Sequence, residues 1–440
     1  MEPAASTRHR RDIHRIVAAA LRAADAGRAV ERVLRRDGDD LLVDGKPLPR
    51  GPGGRLLVAG AGKAAAVMAR AVARVAGPLL TKGVVVTGAA ATEDIPGVDV
   101  LLGCHPIPGE RSLTAAEAVL ELVHSAGPDD ALLFLLSGGA SAMIEQPVDG
   151  VSLHDLQAVT RALLKSGASI VELNEVRKAL SLIKAGGLGR AAAPAFTQTL
   201  AVSDVVGNSP AVIGSAPTVQ GTSDAGRAAA IVRREVTQPR LVTSICEALA
   251  HAAGDSSART IGASTGYRVI ASVEDALAGA ARAARQAGYE PEIVSSSVVG
   301  EARAVGETWA RQARSRALVG GARRCLLAGG ETTVRVVGTG RGGRNQELAL
   351  AAGIELTGQL GVTVAAIDTD GCDGPTSAAG AIADGETVER GRRLGNEPAG
   401  FLADNDSYTF FAGLDDLVTT GPTRTNVMDM HIALVGLPDE

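Results

Sequence analysis

CLLAGGETTVRVVGTGRGGRNQELAL, residues 325–350, combines an apolar run, two glycine-rich turns and a helical pattern. The apolar start predicts a buried strand, and the residues after Gly343 predict a helix. Gly342 and Gly343 free the backbone from side-chain clashes just before Arg344. Such a turn can present N–H groups and a guanidinium to an anion. It can equally be a plain helix start that Asn345 caps, with Arg344 solvated.

The length and composition indicate a two-domain α/β protein. A chain of 440 residues is too long for one ordinary core. Its 54 glycines, with 45% hydrophobic but only 2% aromatic residues, are typical of tight turns over aliphatic cores. The polar, unpatterned run HAAGDSSART, residues 251–260, predicts a boundary between domains at residues 10–255 and 261–440.

The charge pattern excludes several classes of protein. A net charge of −5 disfavours nucleic-acid binding, and no apolar run approaches a membrane span. The basic residues 8–11 predict a solvated helix start. We expect a cytoplasmic protein, because the four cysteines are widely spaced and therefore free: Cys104, Cys246, Cys325 and Cys372. We also expect a monomer or a homodimer.

The first glycine turn follows a predicted buried strand at residues 55–59. Gly60 and Gly62 fit the loose dinucleotide fingerprint, which keeps a hydride-transfer enzyme open. The acid that would bind the ribose is missing, since Thr87 ends the next predicted strand. Lys63 supplies a charge suited to phosphate or carboxylate, although a purely structural turn is equally compatible.

A second turn, at residues 137–141, follows the most apolar strand of the chain. Its five small residues can form a nest of N–H groups for phosphate, but they lack the full Walker pattern. The predicted phosphate-binding residues of the N-terminal half are Gly60, Gly62, Ser137, Gly138, Gly139 and Ser141.

Acidic residues follow two further predicted strand ends. Asp204 lies after one strand, and Asp368, Asp370 and Asp373 lie after another. Each alone is more often a cap or turn residue. Together they are candidates to hold magnesium or accept a proton, because open α/β sheets bind ligands at the carboxyl ends of their strands.

Nine motifs in order resemble the class II, MOFRL-type glycerate 2-kinases, some of which are labelled hydroxypyruvate reductases: GAGKAA, LSGGASA, VRKALS, SDVVGN, GGETTV, GRGGRNQE, DTDGCDGP, NDSYTFF and GPTRTNVMD. The resemblance implies a Rossmann-like N-terminal α/β/α domain and a smaller mixed α/β C-terminal domain, with an active site in the cleft between them. It also implies ATP, Mg²⁺ and phosphorylation of the 2-hydroxyl of D-glycerate, giving 2-phosphoglycerate and ADP.

On this resemblance, residue roles follow from the matching motifs. The expected catalytic residues are Lys63, Arg344, Asp204 and Asp373. Further nucleotide-binding residues are Gly330, Glu331 and Asn345, and the expected metal ligands are Asp204, Asn208 and Asp370.

The chain departs from the family pattern at Gly109, Ala179, Val206 and Asn208, all within the predicted N-terminal domain. These departures bear on the acceptor more than on phosphoryl transfer. Two alternatives stay open: an NAD(P)H-dependent hydroxypyruvate reductase and a non-catalytic sugar-acid-binding protein.

Overall fold

The structure is a computed structural model that describes residues 4–88, 94–221, 223–254, 265–318 and 322–436. Its α-helices are α1 (Ala4–Ala23), α2 (Ala26–Val33), α3 (Ala65–Ala76), α4 (Glu110–His124), α5 (Ala140–Met143), α6 (Leu153–Ser166), α7 (Ile170–Ala179), α8 (Gly187–Ala191), α9 (Ala225–Glu235), α10 (Pro239–Gly254), α11 (Val273–Gln286), α12 (Ala302–Leu318), α13 (Arg344–Glu355), α14 (Thr387–Arg393), α15 (Pro398–Ala403) and α16 (Ser407–Leu414). Its strands are β1 (Leu34–Asp37), β2 (Asp40–Val43), β3 (Lys46–Pro47), β4 (Leu56–Ala61), β5 (Leu80–Thr87), β6 (Val98–Leu102), β7 (Ala131–Leu136), β8 (Phe196–Val202), β9 (Thr265–Ala271), β10 (Glu290–Glu301), β11 (Arg324–Thr333), β12 (Val362–Asp368), β13 (Gly380–Asp384), β14 (Leu417–Val418) and β15 (Asp429–Val435).

The chain forms two compact units. The N-terminal unit comprises Ala26–Ser203 and Asn208–Ile270, and the C-terminal unit comprises Met1–Asp25, Asp204–Gly207 and Ala271–Glu440. The boundary predicted at residues 255–261 lies outside the described residues.

The N-terminal unit is built on a sheet with the order β6-β5-β4-β7-β8-β9. β4 pairs in parallel with both β5 and β7, so this is the strand order of Rossmann-type folds. Every residue of β4 and β7 is buried, as expected for a parallel sheet that is covered on both faces. The order reverses between β4 and β7, and both predicted glycine turns follow these two strands.

Two smaller parts complete the N-terminal unit. β1, β2 and β3 form an antiparallel meander. Apolar side chains of α6, α7, α9 and α10 share a separate core that includes Leu156, Val176, Val232 and Ile245.

The C-terminal unit holds a mixed sheet with the order β10-β11-β15-β12-β13-β14. β10 and β11 are parallel, whereas β15 runs antiparallel to both of its neighbours, β11 and β12. The start of β15 therefore lies beside the ends of β11 and β12. The predicted class, a Rossmann-like α/β domain followed by a mixed α/β domain, is confirmed.

Two placements differ from the sequence prediction. Strand β9 lies within residues 261–440, the range predicted for the second domain, but it forms the edge of the N-terminal sheet beside β8. Helix α1, in contrast, packs on α11 of the C-terminal unit, where the Tyr289 hydroxyl donates to Asp12 at 3.0 Å. The prediction that the basic residues 8–11 are solvated is wrong for Arg10, which donates to Asp416 at 2.5 Å and to Asp384 at 2.8 Å.

Among the described residues, no helix is long and apolar enough to cross a membrane.

Candidate active site

Arg344, the first residue of α13, uses all three of its guanidinium nitrogens in ion pairs. Nε donates to Asp429 at 2.7 Å, Nη1 to Glu331 at 3.1 Å and Nη2 to Asp368 at 3.1 Å. We call these three carboxylates the acid cluster. The Arg344 side chain is 25% exposed, so it is neither freely solvated nor closed off.

The sheet topology explains why these acids meet. Asp429, at the start of β15, pairs with Gly330 of β11 on one side and with Asp368 of β12 on the other. Glu331 directly follows Gly330. Three neighbouring strands thus place one carboxylate each at the same edge, and α13 begins above them.

The pKa shifts at this edge show that the single positive charge of Arg344 does not offset the negative charge of the acid cluster. Burial, together with the charges of Asp429 and Asp370, raises the pKa of Asp368 to about 8 against the opposing effect of Arg344. Burial lowers the pKa of Arg344, but the carboxylates, Asp429 first, outweigh it and raise the pKa above its ordinary value. A further positive charge at this edge of the sheet would therefore be electrostatically favourable.

Asp204 belongs to the same unit, and its negative charge affects the carboxylates of the acid cluster. Burial raises the pKa of Glu331, and the nearby charges of Asp429 and Asp204 add to this effect while that of Arg344 opposes it. The Glu331 side chain is 48% exposed, which makes it the acid of the cluster most open to solvent. Asp204 and Glu331 are therefore brought together as predicted site residues.

The helix start that was expected to bind an external anion holds a carboxylate of the chain itself. Asp373 is fully buried and accepts from the N–H of Asn345 at 3.0 Å and of Gln346 at 2.8 Å. An added Cβ at Gly343 would lie 2.3 Å from this carboxylate, so glycine permits the contact. Burial raises the pKa of Asp373 to about 6, against the effect of these N–H bonds.

Asn345 connects this cap to the acid cluster. Its Nδ2 donates to Asp429 at 2.8 Å and lies 3.3 Å from Asp373, and the side chain is fully buried. The residue is not the cap: Gly343 occupies the N-cap position, and the Asp373 side chain supplies the capping oxygens. Asn345 thus donates to the same carboxylate, Asp429, that accepts from Arg344.

The predicted metal ligands Asp204 and Asp370 belong to the C-terminal unit, and Asn208 belongs to the N-terminal unit. The Asp370 N–H donates to Asp368 at 3.0 Å, and Asp370 accepts from the Cys372 N–H at 2.9 Å. Asn208, with a φ of 53°, belongs to the N-terminal unit. Within the part of the chain that the structure describes, no group of three or more His, Cys, Asp or Glu side chains is arranged to hold a metal ion.

The two glycine turns of the N-terminal unit are bonded to each other. The Lys63 N–H donates to the Gly138 carbonyl at 2.9 Å, and the Ala64 N–H donates to Ser137 Oγ at 3.0 Å. Gly62 has a φ of 129°, and a Cβ there would lie 2.3 Å from Ser137 Oγ. The half-buried Lys63 is thereby fixed at the carboxyl end of β4.

The other predicted glycines also serve close packing. A Cβ at Gly60 would lie 2.7 Å from the Leu135 carbonyl oxygen, and one at Gly330 would lie 2.1 Å from that of Val298. Gly139, with a φ of 85°, precedes the one-turn helix α5, and Ser141 Oγ lies 3.0 Å from Ser215 Oγ. None of these contacts requires a nucleotide.

The sequence interpretation missed Asp429. It ends the motif GPTRTNVMD, but no local signal shows that the strand that begins there, β15, runs between β11 and β12. Asp368 was noted among the acids yet not included with the site residues.

Two family models match the chain: the domain of unknown function DUF4147 covers residues 12–250, and the MOFRL family covers residues 324–429. These matches, with the fold above, define a class of two-domain α/β proteins.

Named relatives narrow this class. A D-glycerate 2-kinase from Thermotoga maritima is 39% identical over 387 residues, covering 87% of this chain and 91% of that protein. A relative from Agrobacterium vitis, 39% identical over 421 residues and 93% of this chain and 95% of that protein, carries hydroxypyruvate reductase only as a provisional name. The crystal structure of a glycerate kinase from Thermotoga maritima matches with a TM-score of 0.84 at 35% identity, covering 98% of this chain and 100% of that one. The chain belongs to the glycerate kinase family, which confirms the resemblance of its motifs.

Proposed function

We propose that this protein transfers the γ-phosphoryl group of ATP to the 2-hydroxyl of D-glycerate, giving 2-phosphoglycerate and ADP. Family membership supports the reaction class, and the triply paired Arg344 is the observation in the structure that carries the proposal. Phosphoryl transfer needs positioning and charge neutralisation more than covalent participation of the protein.

Arg344 is suited to neutralise the charge that develops on the transferred group. The buried Asp429 accepts from Nε, and the two outer nitrogens donate to the buried Asp368 and to Glu331, whose side chain is 48% exposed. A guanidinium fixed in this way is preorganised, so little reorganisation accompanies phosphate binding. Lys63 is the proposed second cation, fixed by the bonded glycine turns of its own unit.

The excess negative charge of the edge fits a magnesium ion. Asp368, with Asp370 and Asp204, would hold Mg²⁺, which neutralises charge on the phosphates when bound. Mg²⁺ usually takes only one or two carboxylates beside phosphates and waters, so the ion need not contact all three of these acids. Asp204 is also the proposed acceptor of the hydroxyl proton, because Asp373 is fully buried as a helix cap.

The acceptor is the part of the proposal most affected by the departures from the family pattern. An added Cβ at Gly109 would lie 2.8 Å from the Cys104 sulfur, so the missing acid is replaced by local packing. Ala179 is buried as well.

We test the acceptor with ATP and a panel of D-glycerate, L-glycerate, tartronate and longer aldonates, with release of ADP as the signal. D-Glycerate is expected to give the highest kcat/KM; a higher value for an aldonate would reassign the acceptor.

A parallel assay with NADPH and hydroxypyruvate tests the reductase. No turnover is expected, because the glycines of the first turn serve packing and Thr87 stands where a nicotinamide enzyme holds its ribose-binding acid. Oxidation of NADPH by the purified protein, dependent on hydroxypyruvate, would support the reductase instead.

The cellular compartment is proposed from the state of the cysteines alone. All four cysteines are free, and Cys372 is exposed, which suits a reducing cytoplasm. A monomer or homodimer remains our expectation.

A further inference from the structure

The proposed phosphoryl transfer leaves the polar face of α7 without a role. Asn174, Arg177 and Lys178 share this face, because residues three or four apart lie on one side of a helix. Lys178 Nζ donates to the Ala211 carbonyl at 2.9 Å. Arg177 Nη2 donates at 3.1 Å to the carbonyl of Ser141, the last residue of the second glycine turn. Helix α7 thus brings a guanidinium to the turn that follows β7, within the N-terminal unit.

Most of the hydrogen-bonding capacity of Arg177 is unused. Among the described residues, its Nε and Nη1 donate to no other group, and the side chain forms no ion pair. The side chain is half-buried, and neither nitrogen is among the buried atoms that lack a partner. Both nitrogens are therefore accessible to a ligand.

The charges next to Arg177 leave positive charge in excess. Glu145 is 0% exposed and accepts from the Lys184 ammonium and from Ser181 Oγ, the latter at 2.5 Å. Burial lowers the pKa of Arg177, and the charge of Glu145 opposes this effect. Burial also lowers the pKa of Lys184, and the charge of Arg177 adds to that shift while Glu145 opposes it. One carboxylate thus serves two cations, so an anion at Arg177 would be electrostatically favourable.

The backbone around Ser141 is held in place. Ser141 Oγ lies 3.0 Å from the hydroxyl of the buried Ser215. Ser215 and Ala216 have φ angles of 64° and 58°, a conformation that costs free energy in residues other than glycine. Their carbonyls accept from the N–H groups of Ala185 at 3.0 Å and Gly186 at 2.7 Å. The carbonyl that fixes Arg177 therefore belongs to a preorganised frame.

Two anions of the proposed reaction are candidates for this guanidinium: a phosphate of the donor and the carboxylate of the acceptor. Arg344 and Mg²⁺ already provide for the phosphates, whereas the carboxylate has no assigned partner. The second glycine turn also contacts the first, because the Lys63 N–H donates to the Gly138 carbonyl at 2.9 Å. In a 2-hydroxy acid the reacting hydroxyl and the carboxylate are on adjacent carbons. A site that spans Lys63 and Arg177 through one turn suits such a molecule.

We propose that Arg177 binds the carboxylate of the hydroxy acid acceptor through charge-assisted hydrogen bonds. The inference rests on the proposed kinase function and assigns the acceptor's carboxylate to the N-terminal unit. Asn174, one helical turn before Arg177, offers an amide on the same face to the acceptor.

The KM values of Arg177→Ala test this assignment. The KM for D-glycerate is expected to rise about 10- to 100-fold, and the KM for ATP should stay within about twofold of wild type. Arg190→Ala is the matched control, because Arg190 is also half-buried in the N-terminal unit and its Nη1 donates to the Ala185 carbonyl at 3.0 Å. It should change neither KM by more than about twofold. A selective rise in the KM for ATP in Arg177→Ala would place a phosphate at Arg177 and overturn the carboxylate site.

An uncharged acceptor separates binding of the carboxylate from a structural role. D-Glyceramide has a neutral amide in place of the carboxylate, so its turnover does not depend on a cation at this position. The ratio of kcat/KM for D-glycerate to kcat/KM for D-glyceramide should fall by about tenfold or more in Arg177→Ala. A distorted site would lower both values together, and an unchanged ratio would overturn the proposal. If Arg177→Ala does not fold, Arg177→Lys decides, with an expected rise of about threefold or more in the KM for D-glycerate.

The carboxylate site and the kinase fail in different ways. Phosphorylation of D-glycerate with an unchanged KM for it in folded Arg177→Ala overturns the site and leaves the kinase intact. If no acceptor is phosphorylated, the kinase is overturned, and calorimetric titration with D-glycerate decides on the site. Binding that is about tenfold or more weaker in Arg177→Ala than in wild type supports the site. Equal binding by the two proteins, or none by wild type, overturns it.

Discussion

Replacing Arg344 with alanine removes the guanidinium that contacts all three carboxylates of the acid cluster. Asp429 is 0% exposed and would keep only the Asn345 amide, at 2.8 Å, and the distant Thr332 N–H, at 3.5 Å. Breaking a buried pair costs about 3–5 kcal/mol. Because Arg344 is 25% exposed and solvent can enter, we expect a loss near the lower end, about 3 kcal/mol.

Arg303→Ala is the matched control. Arg303 on α12 is also 25% exposed, and its Nε donates at 2.7 Å to Glu347, which is 3% exposed and lies on α13, the helix that begins with Arg344. The two variants should lose similar free energies of unfolding, but only Arg344→Ala removes a charge from the proposed reaction centre. Its kcat should fall by about 10³-fold or more, whereas that of Arg303→Ala should stay within about threefold of wild type.

The assay combines urea unfolding with steady-state kinetics at a temperature where both variants are folded. Equal losses of turnover in the two variants would mean that Arg344 acts through stability alone. Near-normal turnover in folded Arg344→Ala would refute its role at the reaction centre. Arg344→Lys, which keeps the charge but not the three separate donors, should recover part of the stability and less of the turnover.

Three further outcomes are expected from urea unfolding. Asp373→Ala should lower the unfolding free energy by about 1–2 kcal/mol, because it uncaps α13, and should leave both KM values near wild type; a selective loss of kcat would restore Asp373 as a catalytic residue. Gly62→Ala should cost at least about 1 kcal/mol, because the new Cβ would lie 2.3 Å from Ser137 Oγ, and an unchanged midpoint would show that the two turns separate freely. Burial lowers the pKa of His9 to about 4, so the unfolded chain gains the proton first as the pH falls below about 6.5. Stability conferred by neutral His9 is therefore complete above that pH and declines toward pH 4; His9→Gln should reduce the loss between about pH 7.5 and 5.5 by about 1 kcal/mol, and an identical loss in both proteins would contradict this.

The sequence was sufficient for the class of fold because its strands and turns are local features. Apolar runs before Gly60 and Ser137 predicted buried parallel strands, and both are fully buried. Their meeting at the point where the strand order reverses follows from parallel α/β topology.

The composition of the site was harder to predict because it depends on strand direction. Asp429 reaches Arg344 only because β15 inserts antiparallel between β11 and β12, a pairing of residues far apart in the chain. Asp373 is the converse case, in which a local pattern suggested a catalytic role and the tertiary contacts indicate a structural one. Its position after a strand suggested chemistry, whereas burial and two N–H donors give it the role of a cap.

The N-terminal helix shows the same dependence on tertiary contacts. Its basic residues indicated a solvated start, yet Arg10 pairs with Asp384 and Asp416, more than 370 positions away. Charge clusters near a terminus carry no local sign of such distant partners.

The position of the transferred phosphoryl group tests the proposed function most directly. We would incubate the protein with ATP, Mg²⁺ and D-glycerate and couple the product to enolase in the absence of a phosphoglycerate mutase. Enolase uses 2-phosphoglycerate directly, so we expect formation of phosphoenolpyruvate without delay and in proportion to the ADP released. ADP release that gives phosphoenolpyruvate only after a mutase is added would place the phosphoryl group on another hydroxyl, and no ADP release at all would contradict the kinase.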